Sequence, residues 1–180
     1  MNKILKITLV VIGVIVAAIL VLGLIMPKEF EVSRSVTIDA PKEIVFQKVN
    51  SLEKMEAWSP WSKLDPNMVS ESIGTEGTVG SIRKWKGNDD VGEGEQEIKE
   101  IVPNEMIHNE LRFKTPMEST NQVYLKLAEN NGKTTVTWQM AGASKFPFNA
   151  MGAFVSMDKM IGPDFEKGLN SLKSLVEETK

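Results

Sequence analysis

The chain has 180 residues, no cysteine, one histidine and a formal net charge of −3 at pH 7. The absence of cysteine excludes a disulfide framework, a thiolate nucleophile and a cysteine metal site. The mild negative charge disfavours a nucleic-acid partner, because such a partner requires a basic face. The residues that follow Met26 are enough for one domain with a sizeable core.

An apolar run opens the chain from Ile7 to Met26, and Thr8 is its only polar member. As a helix, this run spans about 30 Å, the thickness of a bilayer core. A cleaved secretory signal is the rival interpretation, but signal sequences have shorter apolar regions that end in small residues. A buried core helix is disfavoured because the run has no polar face. We predict an uncleaved transmembrane anchor over residues 1–27 and one domain over residues 28–180.

The charges beside the run give a weak indication of its orientation. Lys3 and Lys6 precede it, whereas Lys28 and Arg34 follow it. Positive charge next to a membrane span favours the cytoplasmic side. We predict a single-pass membrane protein whose N-terminus is cytoplasmic and whose domain lies on the outer face, periplasmic or extracellular.

Alternation of apolar and polar residues predicts a strand over Phe30–Asp39. Arg34 falls on its apolar face, where it either reaches the edge of the strand or pairs with a carboxylate. We favour a structural role for Arg34 over a ligand-binding one.

Two short helices are predicted next. The first begins at Asp39-Ala40-Pro41, because proline is well tolerated in a first turn, and its buried side is formed by Ile44, Val45, Val49 and Leu52, with Phe46 beside it. The second covers Leu52–Ala57 and ends at Trp58-Ser59-Pro60-Trp61, since Pro60 disfavours helix at Ser59.

The middle of the chain reads as strands and turns from Met68 onward. An Asn-Gly pair at Asn131-Gly132 indicates a hairpin, and Ala141–Gly152 reads as a mobile connection broken by Pro147. The predicted strands are Val79–Lys86, Val91–Val102, Glu105–Lys114, Asn121–Ala128 and Lys133–Met140.

A long amphipathic helix is predicted over Phe154–Lys180. Gaps of three and four residues place its apolar side chains in one stripe: Met157, Met160, Ile161, Phe165, Leu169, Leu172, Leu175 and Val176. Such a helix requires an apolar surface to lie on. The order of elements predicts an α+β domain with an antiparallel sheet and helices on one side.

Several segments in this order resemble the START-like (SRPBCC) superfamily, in its polyketide cyclase/dehydrase branch. The resemblance covers about Phe30–Glu178 and is carried by Ile38–Phe46, Trp58–Trp61, Trp85–Asn88, Gly92–Gly94, Thr135–Trp138 and Met157–Leu169. It implies a helix-grip fold, in which a seven-stranded antiparallel sheet holds a long C-terminal helix around a hydrophobic cavity. Members include lipid carriers, hormone receptors and aromatic cyclases, so the fold does not fix the function.

Catalytic and metal sites find little support in the residues. His108 is the only histidine, and strand parity places it on the wet face with Glu110 and Arg112, away from Ile107 and Leu111. Neither a Ser-His triad nor a histidine or cysteine metal cluster is indicated. Glu93, Glu95 and Glu97 have strand spacing and are most simply a solvated face. We predict no cofactor and no metal.

Aromatic and methionine residues give the stronger lead, because ligand pockets are mostly apolar and methionine adapts to variable contents. The predicted cavity residues are Trp58, Trp61, Trp85, Phe113, Trp138, Met140, Phe146, Phe148, Phe154, Met157 and Met160. The alternative for each is an ordinary place in a filled core. Arg34, Arg83, Gln96 and Arg112 are the candidates for a few polar groups in the cavity.

Our main hypothesis is a membrane-anchored binding module whose partner is a hydrophobic small molecule or a lipid. The first alternative is a cyclase- or dehydrase-type enzyme acting on an apolar substrate, which would need an acid such as Asp158 or Glu110 in the cavity. The second is a protein-interaction domain of an envelope complex that uses the charged face of the sheet. The sequence gives neither the identity of the ligand nor the oligomeric state.

Overall fold

In the computed structural model, which describes residues 2–178, the chain begins with helix α1, Lys3–Ile25. The predicted anchor begins at Met1 and the predicted domain ends at Lys180. Met1, Thr179 and Lys180 lie outside the described part. The α1 side chains are exposed along most of the helix, and Gly23 near its end is buried. Its length and composition would allow it to cross a membrane. Its exposure removes the interpretation of a core helix.

Within residues 2–178, seven strands and three further α-helices follow α1. The α-helices are α2 (Lys42–Phe46), α3 (Leu52–Glu56) and α4 (Met157–Glu177), and two 3-10 helices cover Trp61–Lys63 and Phe148–Ala153. The strands are β1 (Glu29–Ile38), β2 (Val69–Ile73), β3 (Ile82–Lys86), β4 (Glu93–Val102), β5 (Met106–Thr115), β6 (Ser119–Asn130) and β7 (Lys133–Ala143).

The strands form one antiparallel sheet in the order β1-β7-β6-β5-β4-β3-β2. The predicted helix-grip fold, with its seven-stranded sheet and long C-terminal helix, is confirmed. The alternation along β7 places Val136, Trp138 and Met140 on the inner face of the sheet, and all three side chains are buried. Asn131 and Gly132 have φ values of 52° and 72°, which are the positive values that the predicted Asn-Gly hairpin requires.

One end of the sheet lies beside the end of α1, the predicted anchor, and we call it the anchor-side end after that prediction. Strand β1 begins there at Glu29, which pairs with Ala143 at the end of β7. The start of β4 and the end of β5 meet at the same end through the pair Glu93 and Thr115. The β6–β7 hairpin, which includes Asn131, therefore lies at the opposite end.

Helix α2 is shorter than predicted. It ends at Phe46, so Val49 and Leu52 lie beyond it instead of on its buried side. Phe46 is buried and Ile44 is 43% exposed, which reverses their predicted roles. Periodicity fails here because a helix of five residues makes little more than one turn.

Helix α4 begins at Met157, and the prediction of a start at Phe154 is wrong. The Ser156 hydroxyl accepts a hydrogen bond from the Lys159 backbone N–H at 3.4 Å and caps the helix. Met160 belongs to the predicted stripe but is 55% exposed. It precedes buried Gly162 by two residues, which is about 200° around the helix, so it lies on the opposite side. The buried face of α4 carries Gly162, Phe165, Gly168, Leu169, Leu172 and Val176.

Arg34 joins β1 to the N-terminal half of α4. Its Nη1 lies 2.6 Å from Asp158 Oδ1, and its Nε lies 2.7 Å from Glu166 Oε1. Gly162 makes this approach possible, since a Cβ at that position would lie 2.1 Å from Arg34 Nη2. The contacts assign Arg34 the structural role that we favoured over ligand binding.

Two further hydrogen bonds hold the C-terminal half of α4 to the end of the same strand and to the residue that follows it. Lys173 Nζ donates to the Thr37 carbonyl at 2.9 Å, and Glu177 Oε1 accepts from the Asp39 backbone N–H at 2.8 Å. Helix α4 thus runs along the edge strand β1 in the same direction as the strand, and its N-terminus lies at the anchor-side end.

The Arg34–Asp158 pair predicts a pH-dependent stability. The hydrogen bonds from Arg34 lower the pKa of Asp158 below its ordinary value. A carboxyl whose pKa is lowered by folding stabilises the protein above its unfolded pKa, about 3.9, and loses this effect as the pH falls through the lowered value. We expect Asp158→Asn to reduce the urea midpoint near pH 7 and to have a progressively smaller effect toward about pH 2.

Asp89→Asn, in the exposed turn after β3, controls for the loss of a carboxylate as such. Urea unfolding of the full chain, followed by tryptophan fluorescence, gives the urea midpoint of each variant at the two pH values. A loss of stability of the same size at both pH values would contradict the contribution of the ion pair.

Candidate functional site

A cavity of about 340 Å³ lies between the inner face of the sheet, helix α3 and the first turns of α4. All four tryptophans of the chain line it. Its walls extend from Asn109, in the middle of β5, to Val91 and Phe113 at the anchor-side end. Six of the predicted cavity residues are brought together here: Trp58, Trp61, Trp85, Phe113, Trp138 and Met140.

Aromatic packing builds the wall next to α4. The ring of Trp138 stacks on Phe165 with centroids 4.2 Å apart, and Trp58 and Trp61 meet Trp138 edge-on at 5.0 and 5.6 Å. A Cβ on Gly168 would lie 2.7 Å from Trp138 Cζ3, so the indole rests directly on the helix backbone. The sheet and the helix therefore meet through one aromatic cluster that also faces the cavity.

A second aromatic pair forms the opposite wall. Trp85 on β3 meets Phe113 on β5 edge-on, with centroids 5.6 Å apart. The Trp85 Nε1 donates to the Val91 carbonyl at 3.1 Å, so its polar atom is satisfied and the ring presents an apolar surface. Both walls are thus rigid, because each indole is fixed by ring contacts or by a hydrogen bond.

The polar part of the lining contains one ion pair. Arg83 Nη2 lies 2.5 Å from Glu56 Oε2, and Arg83 Nε lies 2.9 Å from Glu56 Oε1. Ser72 accepts from Arg83 Nη1 at 2.8 Å. Because the guanidinium of Arg83 and the carboxylate of Glu56 are paired with each other, this wall presents an ion pair to the cavity instead of a free charge. Gln96 also lines the cavity, so two of the four predicted polar candidates are found there.

Asn109 is the polar residue that sequence reasoning missed. Its side chain is completely buried and lines the cavity. Its Nδ2 has only a weak contact with Met55 Sδ at 3.7 Å, and its Oδ1 has no hydrogen-bond partner in the described structure. A signal was present, because Asn109 lies between Ile107 and Leu111 in a row of inward-facing residues on β5.

The other five predicted residues do not line the cavity. Met157 packs at the edge of the core. Phe146, Phe148 and Phe154 are exposed at the anchor-side end, because the segment between β7 and α4 packs against the end of α1 instead of folding over the cavity. Met160 is exposed on the outer side of α4.

Arg112 lies on the outer face of the sheet and not in the cavity. Its guanidinium contacts Glu110, Glu95 at 2.8 Å and Glu97 at 2.9 Å. The hydrogen bonds from Lys99 and Arg112 lower the pKa of Glu97. The glutamates of this face are therefore held in ion pairs, as expected for a solvated face with internal charge balance.

The candidate catalytic groups also lie away from the cavity. Glu110 accepts a hydrogen bond from Arg112, and this bond lowers the pKa of the Glu110 carboxyl. Asp158 is held by Arg34. A general acid at neutral pH needs a raised carboxyl pKa, so both shifts have the wrong sign. His108 stacks on Tyr124 at 4.4 Å, on the outer face where strand parity predicted it.

Comparison with solved structures gives the same fold. A Mesorhizobium loti protein has a TM-score of 0.62 and 14% identity, over 84% of this chain and 99% of that chain. A Chromobacterium violaceum protein has a TM-score of 0.58 and 18% identity, with the same coverage of 84% and 99%. A protein from the dynemicin biosynthetic locus has a TM-score of 0.57 and 16% identity, over 83% of this chain and 48% of that chain.

A search of curated proteins found no match. The family model described as polyketide cyclase/dehydrase and lipid transport matches residues 29–177, from the start of β1 to the end of α4. Because this match covers most of the chain and includes every strand and helix around the cavity, the chain belongs to the polyketide cyclase/dehydrase and lipid transport family, with the START-like helix-grip fold.

Proposed function

We propose that this protein is a membrane-anchored binding module for a small hydrophobic molecule that carries one hydrogen-bond donor. The observation that carries the proposal is the cavity of about 340 Å³, with mainly aromatic and aliphatic walls and one unpartnered amide oxygen. Ligand pockets have about 300–1,000 Å³, so the volume fits a small molecule. The six predicted residues at the cavity are our proposed ligand contacts.

The volume itself argues for a guest. Natural cores contain few voids larger than a water molecule. The cavity opens partly to solvent, so water reaches its apolar walls when no ligand is bound. Apolar walls do not hold water well, and a ligand that displaces this water gains about 25 cal/mol for each Å² of apolar surface that it buries. An apolar ligand is therefore the occupant that the cavity favours.

The enzyme alternative has less support from the geometry. Glu110 and Asp158 lie outside the cavity. Of the two carboxylates in its lining, Glu56 is held by Arg83 and Asp90 is exposed in the turn after β3. The interaction-domain alternative relied on the charged face of the sheet, whose glutamates are already paired with Arg112. A binding module needs neither a free acid nor a free charged face.

A larger side chain inside the cavity should prevent the binding of an apolar molecule. We expect Leu111→Trp, which places a larger side chain in the cavity, to remove a co-purifying apolar molecule that the wild-type chain retains. Lys114→Trp is the matched control, since Lys114 is exposed on the same strand. The measurement is mass spectrometry of organic extracts from the full chain in native lipid particles. Identical extracts from all three proteins would contradict the proposal, and the mass would show whether a retained guest is a lipid.

The Asn109 oxygen predicts the chemistry of the ligand. A net hydrogen bond is worth about 0.5–1.5 kcal/mol, so the wild type should bind 1-naphthol about 2–13-fold more tightly than 1-methylnaphthalene. Asn109→Leu should abolish this preference. It should also leave the stability of the ligand-free protein unchanged or raise it, because an unpaired buried amide is costly. Calorimetric titration of the full chain in nanodiscs, corrected with empty discs, tests both probes.

Asn121→Leu is the control for loss of a buried amide elsewhere, because Asn121 is buried on β6 and hydrogen-bonds to Ser119. It should lower stability and keep the preference for naphthol. If Asn109→Leu behaves in the same way, Asn109 is a structural residue.

The anchor is part of the same proposal. We propose that residues 1–27 hold the domain, residues 28–180, at the outer face of the membrane, because α1 exposes apolar side chains on all sides and carries Lys3 and Lys6 at its N-terminal end. A tether of this kind keeps the cavity near the bilayer, where hydrophobic molecules concentrate.

Protease accessibility tests the orientation. Protease added to intact cells or spheroplasts should remove the domain and leave a protected fragment that contains α1, because only the outer face is accessible. A cytoplasmic protein of the same cells should remain intact as the control. Full protection of the domain would place it on the cytoplasmic side.

A further inference from the structure

We propose that residues 146–160, between β7 and the second turn of α4, form a second membrane contact that inserts into the bilayer beside α1. This inference rests on the proposed membrane anchoring. The segment exposes large apolar side chains in close succession, and Phe154 is 78% exposed. The exposed set is Phe146, Phe148, Met151, Phe154, Val155 and Met160.

Direct contacts place this segment against the end of α1. The Asn149 side chain is buried, and its Nδ2 donates to the Gly23 carbonyl at 2.8 Å and to the Met26 carbonyl at 3.0 Å. A Cβ on Gly23 would lie 2.9 Å from two ring carbons of Phe146. Gly23 therefore provides the surface on which the Phe146 ring packs.

The hydrogen bonds from Asn149 solve a problem that a membrane creates. The last carbonyls of a helix have no partner within the helix, and in an apolar medium each unsatisfied carbonyl strongly destabilises the inserted helix. Asn149 supplies donors to two carbonyls at the end of α1 from a side chain that is itself buried. The segment is thus built as a cap for the end of α1, at the depth where the chain leaves the bilayer.

The occupant of the exposed apolar side chains follows from this position. Leu24 and Ile25, the last residues of α1, are 76% and 66% exposed, so their apolar surface continues into that of the segment. A bilayer that receives α1 must also reach a segment packed against its end. Lys28, Lys145 and Lys159 are exposed at the borders of the segment, where lysine side chains can extend to the lipid headgroups.

The membrane contact also brings the cavity close to lipid. Ile161 lines the cavity and directly follows Met160, the last exposed apolar residue of the segment. The segment belongs to the anchor-side end of the sheet, where Val91 and Phe113 complete the cavity wall. An apolar molecule that leaves the bilayer at this contact would meet the cavity lining within one turn of α4.

The test uses the absence of cysteine, which allows one fluorophore at one chosen position. Phe148→Cys and Phe154→Cys, each labelled with the environment-sensitive dye NBD, report the segment. Ile15→Cys in α1 reports the anchor, and Asn130→Cys, at the opposite end of the sheet, is the control for the dye. Each full-length variant is reconstituted in vesicles of phosphatidylcholine and phosphatidylglycerol with nitroxide groups at shallow or deep positions of the acyl chains.

We expect shallow nitroxides to quench most of the NBD fluorescence at residues 148 and 154, deep nitroxides to quench residue 15, and neither to quench residue 130. If the dyes at residues 148 and 154 are not quenched but the dye at residue 15 is, the second contact is overturned and the anchor stands. Loss of quenching at residue 15 would overturn the anchor itself. A blue-shifted but unquenched dye at 148 and 154 would show that another protein surface covers the segment, which also overturns the inference.

Discussion

The packing of α4 along the edge strand β1 determines the shape of the domain. Contacts of Arg34, of the Thr37 carbonyl and of the backbone N–H of Asp39, the residue after the strand, hold the helix in place. A helix fixed at one edge of a sheet of seven strands cannot cover the whole inner face. The uncovered part, across the middle strands, is where the cavity lies. The space for a ligand is therefore a consequence of where the helix is held.

The aromatic residues turn this unfilled space into a defined cavity. Trp138 lies between the helix and the open part of the sheet, with one face on Phe165 and the backbone at Gly168. A side chain at residue 168 would separate the ring from the helix. The close contact at this glycine therefore holds the Trp138 ring directly against the backbone of α4, where it forms the cavity wall on that side.

Much of the fold could be predicted because its signals are local and periodic. Strand alternation located most of the sheet, including the outward position of His108 and the inward position of Trp138, and the Asn-Gly pair located the β6–β7 hairpin. The start of α4 and the extent of α2 could not be obtained in this way. Phe154 has the same apolar character as the stripe residues, and only the hydrogen bond of Ser156 with Lys159 marks where the helix begins.

The candidate site shows where prediction from composition reaches its limit. An aromatic residue in a loop is equally consistent with a cavity lining, a protein core or a bilayer, because each of these removes apolar surface from water. Phe148 lies in such a connection and was predicted to line the cavity together with Trp85 of the strand Val79–Lys86. In the fold Trp85 faces the cavity, whereas Phe148 is exposed beside α1. Asn109 shows the opposite case. A polar residue at an inward position of a strand has few low-energy explanations, so its place between Ile107 and Leu111 is a more specific indication of a ligand than any of the apolar residues around it.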